Sequence, residues 1–330
     1  MTKFYIIAAL FYSILFPTAR AEEANTLSCA MIPALTQHLL RYHVMIHNAS
    51  DDLFKKATDQ MVKRLDPSKA LLLQSDVDEL KPKILHFFKS MKDKPDCAEI
   101  NAIQDLMLKR SKEQLTFAKQ TLGADYKLDE NVELQLDPDK RTFARNQEEA
   151  QKKQLVQIHF QISNYLLAFM DTPENLKLKK GTLERKPLPK DLQKSKDQLI
   201  HRYEISVKRM EELKKDDFYN YAVNAFASAM DPHSNYLSPE ETEDFRINMN
   251  LSLEGIGASL SNEDGYTVIQ ELIPGGAASK SGRLQPKDKI IAVSNKKGEM
   301  ENVIDQDLKD VVHKIRSEEH TSELQSRLHL

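Results

Sequence analysis

The residues with the clearest chemical potential are Gly255-Ile256-Gly257-Ala258, where two glycines stand one residue apart. Seven of the nine glycines of the chain fall between Gly255 and Gly298. Glycines of this spacing let consecutive backbone N–H groups converge on one point, which suits a loop to binding an anion. The terminal carboxylate of a peptide is such an anion. The run therefore predicts a loop that binds a peptide carboxylate through its backbone amides.

The segments after this loop indicate a small domain of strands and turns. Residues 266–273 and 289–293 are predicted as strands, residues 277–281 as a short helix, and residues 307–316 as a last helix. This order of a strand, a turn, a short helix, a strand and a final helix is typical of a PDZ domain. The carboxylate loop would lie at the start of its first strand.

The chain before the glycine-rich part predicts a mainly helical domain, which makes the fold class α+β. Over residues 27–230 apolar residues recur at helical spacing and glycine is nearly absent. Phe218, Ala222 and Phe226 lie on one such face, and Asp217 stands at its start, where a carboxylate caps a helix. Ser238 and Glu241 have the spacing of a capping box at a further helix start.

Composition bounds the class of protein. The chain has 330 residues, of which 40% are hydrophobic and 29% charged, with a formal net charge of -3. This length allows two or three domains, and the balanced charge gives no field that would predict binding to nucleic acid. No pattern in the sequence predicts a cofactor, so we expect neither a nucleic-acid partner nor a cofactor.

The N-terminus has the pattern of an export signal. Lys3 precedes an apolar stretch over residues 4–16, and Ala19-Arg20-Ala21 fits signal-peptidase cleavage. We predict that residues 1–21 are removed and that the protein is periplasmic. A membrane anchor is the alternative, although the stretch is shorter than the ~20 residues that span a bilayer. The two cysteines, Cys29 and Cys97, would then meet an oxidising compartment, where they form either a disulfide or two buried thiols.

Three other groups of residues could suggest chemistry, and each has a simpler interpretation. His43 and His47 are one helical turn apart, but no third ligand is placed beside them, so we predict no metal site. Ser294 and Lys297 have S-x-x-K spacing without the companion motifs of enzymes that use it. His233 lies in a turn with no carboxylate fixed beside it.

Several of these motifs together resemble the tail-specific, or carboxyl-terminal processing, proteases of bacterial periplasms. The similar segments are residues 65–69, 71–77, 231–239, 252–258, 266–269, 275–278 and 307–312. The resemblance implies a serine endopeptidase with a Ser nucleophile and a Lys base, whose PDZ domain captures the C-termini of protein substrates. It also implies that the helical region can bind a helical-repeat adaptor lipoprotein.

Transferred residue by residue, the resemblance assigns a peptide site and no catalytic residue. The carboxylate would meet the amides of Gly255, Ile256, Gly257 and Ala258. The groove would be lined by Ser259, Leu260, Leu308, Val311 and Val312. One local departure is Lys287-Asp288, where the family has Gly-Asp.

The predicted domains are a signal peptide (1–21), a helical domain (22–250) and a PDZ domain (251–315) that lacks its last strand. Residues 316–326 match one reading frame of a common DNA-sequencing adapter, so we predict that residues 316–330 are not native. The family's protease domain follows the PDZ domain, and this chain shows none, so we expect the chain alone to be inactive. The alternative function is a stand-alone periplasmic PDZ protein that binds or delivers peptides. A chymotrypsin-like protease with a trailing PDZ domain is disfavoured, since its triad would precede the PDZ domain and the upstream region here is helical.

Overall fold

The computed structural model describes residues 26–129, 131–170, 189–239, 241–242, 245–246, 256–294 and 298–319. The predicted signal peptide, Gly255 and residues 320–330 lie outside this part of the chain.

The described chain up to residue 230 is helical, as its apolar spacing predicts. Its helices are α1 (Ile32–Tyr42), α2 (Asp51–Leu65), α3 (Gln74–Ser90), α4 (Cys97–Thr121), α5 (Gln147–Met170), α6 (Pro189–Glu212) and α7 (Lys215–Met230), with short 3-10 turns at Cys29–Met31 and Pro138–Lys140.

The predicted helix signals have the expected geometry. Phe218 and Phe226 of α7 are buried, and the Asp217 carboxylate accepts a 2.8 Å hydrogen bond from the Lys214 amide at the start of that helix. The predicted capping box is also confirmed. The Ser238 amide donates to the Glu241 carboxylate at 2.8 Å, and the Glu241 amide donates to Ser238 Oγ at 3.2 Å.

Helix α4 joins two separate hydrophobic clusters. Its first half, including Ile100 and Ile103, packs in a cluster with residues of α1, α2, α3 and α7. Its second half, including Ala118, packs with Ile158 of α5 and Leu199 of α6. One long helix with an apolar face therefore connects the two halves of the helical domain.

The start of α3 is fixed by a buried ion pair. The Asp76 carboxylate accepts a 2.8 Å hydrogen bond from the Leu73 amide and two further 2.8 Å bonds from the Arg110 guanidinium. Burial raises the pKa of Asp76, but the bonds from Arg110 and Leu73 outweigh it, and the resulting pKa lies below the usual value. The local sequence predicts the acidic first turn, whereas its Arg110 partner comes from another helix.

Cys29 and Cys97 are joined by a disulfide with a Cα–Cα distance of 6.2 Å. The bond links the segment before α1 to the first residue of α4, across 68 residues of sequence. The sequence leaves open a disulfide or two buried thiols, and the structure contains the disulfide.

Small sheets follow in the C-terminal part. The strands are β1 (Ala258–Glu263), β2 (Tyr266–Leu272), β3 (Lys289–Ile290), β4 (Ala292–Ser294) and β5 (Met300–Asn302), and the helices are α8 (Ala277–Ser281) and α9 (Leu308–Glu319). One antiparallel sheet has the order β1-β2-β3, and β4 pairs with β5 in a second one. Asp307 caps α9, because its carboxylate accepts a 3.0 Å hydrogen bond from the Lys309 amide.

The prediction of one strand over residues 289–293 is wrong in one respect. The segment forms two strands that belong to different sheets. Ile290 and Val293 are both buried in the same cluster. Three residues apart, they would point to opposite faces of a continuous strand. The chain therefore turns at Ile291, whose carbonyl accepts a 3.0 Å bond from the Val303 amide.

Lys287 occupies a backbone position that favours glycine. It has φ +77°, and the Asp288 amide donates to the Gln285 carbonyl at 3.2 Å, which closes a turn with Pro286 and Lys287 at its centre. A turn with proline followed by a residue of positive φ is type II, and its third position normally requires glycine or asparagine. The departure from the family's Gly-Asp therefore introduces strain and keeps the turn.

We expect Lys287→Gly to stabilise the C-terminal domain by about 1 kcal/mol, because glycine adopts positive φ without a Cβ clash. Denaturant unfolding of the full chain measures this change. Lys287→Ala is the control, since it removes the same side chain and keeps the strain. Equal stability of the glycine and alanine variants would contradict the strained-turn interpretation.

Candidate functional site

The predicted carboxylate loop is fixed from behind by two backbone hydrogen bonds. The Ala278 amide at the start of α8 donates to the Ile256 carbonyl at 2.7 Å. The Ile273 amide, just after β2, donates to the Gly257 carbonyl at 2.9 Å. Both carbonyls thus point into the domain.

This arrangement determines where the amides of the loop point. Every described peptide bond is trans, so the N–H of each peptide unit points opposite to its carbonyl. Since the Ile256 and Gly257 carbonyls face inward, the N–H groups of Gly257 and Ala258 face away from α8 and β2. Two successive amides directed to one side form a concave donor site of the kind that binds anions.

A close contact between two backbone segments requires glycine at positions 257 and 276. Gly257 has φ +71°, and a Cβ added to it would lie 2.7 Å from the Gly276 Cα. A Cβ added to Gly276 would lie 2.9 Å from the Gly257 Cα. The sequence predicts a glycine-dependent loop, but the packing of Gly257 against Gly276 is visible only in the fold.

Among the described residues, β1 has an open edge beside the loop. In the sheet β1-β2-β3, β1 pairs with β2 on one side and is the first strand of the order. Helix α9 packs against β1 and β4. An edge strand next to a helix is the geometry into which an extended peptide can add as a further strand.

The predicted groove residues differ in exposure. Leu260, Leu308 and Val312 are half-buried, and Ser259 is exposed. Val311 has no exposed surface and packs in the domain core. Its predicted role as a groove wall is therefore corrected to a core role, because α9 turns this position inward towards the sheet.

The sequence patterns do not predict the β-bulge that lies beside the groove. Ser259 pairs with Glu271 and Leu260 with Ile269, which leaves Gln270 as an extra residue on β2. Gln270 Nε2 donates to Ser261 Oγ at 2.6 Å and to the Glu263 carboxylate at 2.7 Å. Bulges twist and redirect a strand edge, and the alternation of apolar residues alone does not reveal them.

The hairpin turn between β1 and β2 was also missed, although its signal is present. Asp264 has φ +52° and Gly265 has φ +82°, and Glu263 pairs with Tyr266. Positive φ at both central residues defines a type I′ turn, for which Asp-Gly is a strong sequence signal.

The other candidate sites have structural explanations. His43 caps the end of α1, and its Nδ1 accepts hydrogen bonds from the Met45 and Ile46 amides at 3.1 and 2.9 Å. His43 and His47 therefore do not share a helical face. Ser294 lies in β4, while Lys297 is outside the described residues.

The described part of the chain offers neither a metal-binding cluster nor a helix that could span a membrane. Its His, Cys, Asp and Glu side chains form no cluster of three that could hold a metal ion. None of its helices combines the length and apolar character needed to cross a membrane.

The helical part of the chain matches the model of a known protein family. The model described as "Tail specific protease N-terminal domain" matches residues 35–240, more than half of the chain. The chain belongs to the tail-specific protease family. A PDZ model matches residues 244–321, which agrees with the predicted order of a helical domain followed by a PDZ domain.

Individual relatives agree with this assignment. A tail-specific protease of Haemophilus influenzae is 34% identical over 286 residues, which are 87% of this chain and 38% of that protein. The carboxy-terminal processing protease CtpB of Bacillus subtilis is 30% identical over 131 residues, 39% of this chain and 26% of that protein. The chain thus spans well under half the length of these relatives.

One solved structure is also similar in sequence. It is the PDZ domain of a carboxy-terminal protease from Vibrio cholerae in complex with peptide. The match is 42% identical, covers 19% of this chain and 65% of that one, and has a TM-score of 0.19.

Proposed function

We propose that this chain is the substrate-recognising part of a tail-specific protease and binds the C-termini of proteins in the groove between β1 and α9. The observation that carries the proposal is the outward direction of the Gly257 and Ala258 amides, which follows from the inward bonds of the Ile256 and Gly257 carbonyls. Two preorganised donors favour a carboxylate over a neutral chain end.

In this proposal the peptide adds to β1 as an antiparallel strand. Its carboxylate lies at the loop before β1, and its upstream residues run along the strand towards the hairpin turn at Asp264-Gly265. The half-buried side chains of Leu260, Leu308 and Val312 offer an apolar contact for the last side chain of the peptide. The preferred ligand is therefore a peptide with apolar C-terminal residues.

The activity of the whole protein is part of the same proposal. The Haemophilus influenzae relative is named a tail-specific protease and is longer than the region matched here. We infer a serine endopeptidase that uses a Ser nucleophile and a Lys base, acts in the periplasm after export, and can use an adaptor lipoprotein that binds its helical domain. The family membership supports these inferences, and the export pattern of residues 1–21 supports the location.

A titration with two matched peptides tests the recognition step. The full chain without residues 1–21 is titrated against a fluorescent peptide that ends in apolar residues, once as the free acid and once as the C-terminal amide. We expect amidation to weaken binding by about 10- to 100-fold, because hydrogen bonds to a charged acceptor contribute roughly 1.5–3 kcal/mol.

A third peptide keeps the free carboxylate but has lysine at both of its last two positions. It serves as the control for the apolar contact. It should bind more weakly than the apolar acid. Equal affinity for the acid and the amide would refute the carboxylate site, provided that circular dichroism shows a folded chain.

A further inference from the structure

Helix α6 contacts the C-terminal domain through polar side chains. Gln198 Nε2 donates to the Asp264 carboxylate, and His201 Nε2 lies 3.0 Å from Asp305 Oδ1. Arg209 is 3.7 Å from the Asp307 carboxylate. We call these three residues of α6 and their three aspartate partners the α6 latch.

The latch reaches both walls of the proposed groove. Asp264 is in the hairpin turn that ends β1, whereas Asp305 and Asp307 directly precede α9. The two loops are also bonded to each other, since the Asp305 amide donates to the Gly265 carbonyl at 2.8 Å. Helix α6 therefore contacts the turn after β1 and the segment before α9 at one place.

The shape of the contact depends on Gly265. A Cβ at this position would overlap the Asp305 carboxylate and lie 3.3 Å from His201 Nε2. Asp305 itself has φ +62°, a conformation that aspartate adopts more readily than most residues. The hairpin turn and the loop before α9 are thus shaped to bring Asp305 against α6.

The described residues give this contact no apolar core. The hydrophobic cluster of the C-terminal domain shares no residue with the two clusters of the helical domain. Moreover, Gln198 Oε1 is buried and has no hydrogen-bond partner in the described structure. A small polar contact with an unsatisfied acceptor opens more easily than either domain unfolds, because opening returns that acceptor to water.

We propose that the α6 latch holds the PDZ domain in one orientation on the helical domain and releases it as an intact unit. Its opening separates the polar groups of the latch, and both domains keep their own cores. The latch would thereby set the direction in which the groove faces.

An isosteric substitution tests the latch. Gln198→Glu replaces the donor that faces Asp264 with a second carboxylate, so the two groups repel each other. Spin labels on Lys55→Cys in α2 and Arg283→Cys after α8, attached without reductant to spare the native disulfide, report the distance between the domains. We expect a single narrow distance in the parent chain and a distribution about twofold wider or more with Gln198→Glu.

Two variants complete the test. Gln193→Glu is the matched control, because Gln193 Nε2 donates to Asp197 at 2.8 Å within α6 itself. It should leave the distribution narrow. Asp264→Asn on the Gln198→Glu background restores a donor opposite an acceptor, and asparagine suits the type I′ turn, so the narrow distance should return.

Three results would overturn the latch. They are a parent distribution already as wide as that of Gln198→Glu, equal widening by Gln193→Glu, and a wide distribution that Asp264→Asn does not narrow. Circular dichroism and thermal unfolding of each variant check that both domains stay folded.

Discussion

Gly257→Ala is expected to abolish binding of C-terminal peptides. Alanine at φ +71° costs about 1–2 kcal/mol, and its Cβ would lie 2.7 Å from the Gly276 Cα, so the backbone of the loop must move. This movement redirects the Gly257 and Ala258 amides and removes up to two charge-assisted hydrogen bonds. We expect the affinity for a free-acid peptide to fall by more than about 100-fold, measured by fluorescence titration.

Two further alanine variants distinguish the effect of backbone strain at positive φ from the effect of the Cβ overlap. Gly298→Ala has a similar positive φ of +80° with nothing within 4 Å, so it introduces strain without a clash and should bind peptide normally. Gly276→Ala, where φ is not positive, introduces the overlap without strain and should lose binding. If Gly257→Ala binds as well as Gly298→Ala does, the loop does not hold the carboxylate.

Removal of the disulfide is expected to destabilise the helical domain. The bond closes a loop of 68 residues, for which the chain-entropy account gives about 4 kcal/mol. We expect Cys29→Ala with Cys97→Ala to lower the midpoint of thermal unfolding by roughly 8–16 °C, given about 2–4 °C per kcal/mol for a domain of this size.

The comparison uses the oxidised parent, the double variant and the parent in reductant. Reductant should lower the midpoint of the parent and leave that of the double variant unchanged. Mass spectrometry after alkylation should find no modified cysteine in the untreated parent and two after reduction. An unchanged midpoint in the double variant would show that the bond contributes little to stability.

Local patterns in the sequence were sufficient for the elements themselves. The apolar face of α7, the Asp217 cap and the Ser238–Glu241 capping box each depend on residues within one or two helical turns. The short helix Ala277–Ser281 has its predicted bounds for the same reason. Such signals can be interpreted from one sequence because the interacting groups are neighbours in the chain.

The burial of single residues depends on which side an element presents to its neighbours, and the local sequence does not specify that side. The sequence predicts that Val311 lines the groove, but α9 turns it into the core and leaves Leu308 and Val312 half-buried. The segment 289–293 was expected to be one strand, but Ile290 and Val293 share one core and the chain must turn between them.

The sequence by itself determined the family, the helical domain, the following PDZ domain and the glycines of the predicted carboxylate loop, since these depend on local spacing and motifs. Only the tertiary structure decided which way the Gly257 and Ala258 amides point, because Ala278 and Ile273 fix the loop from distant positions. It also paired Asp76 with Arg110 and Gln198 and His201 with Asp264 and Asp305. These contacts join residues 34 to 104 positions apart, and no local pattern encodes a partner at such a separation.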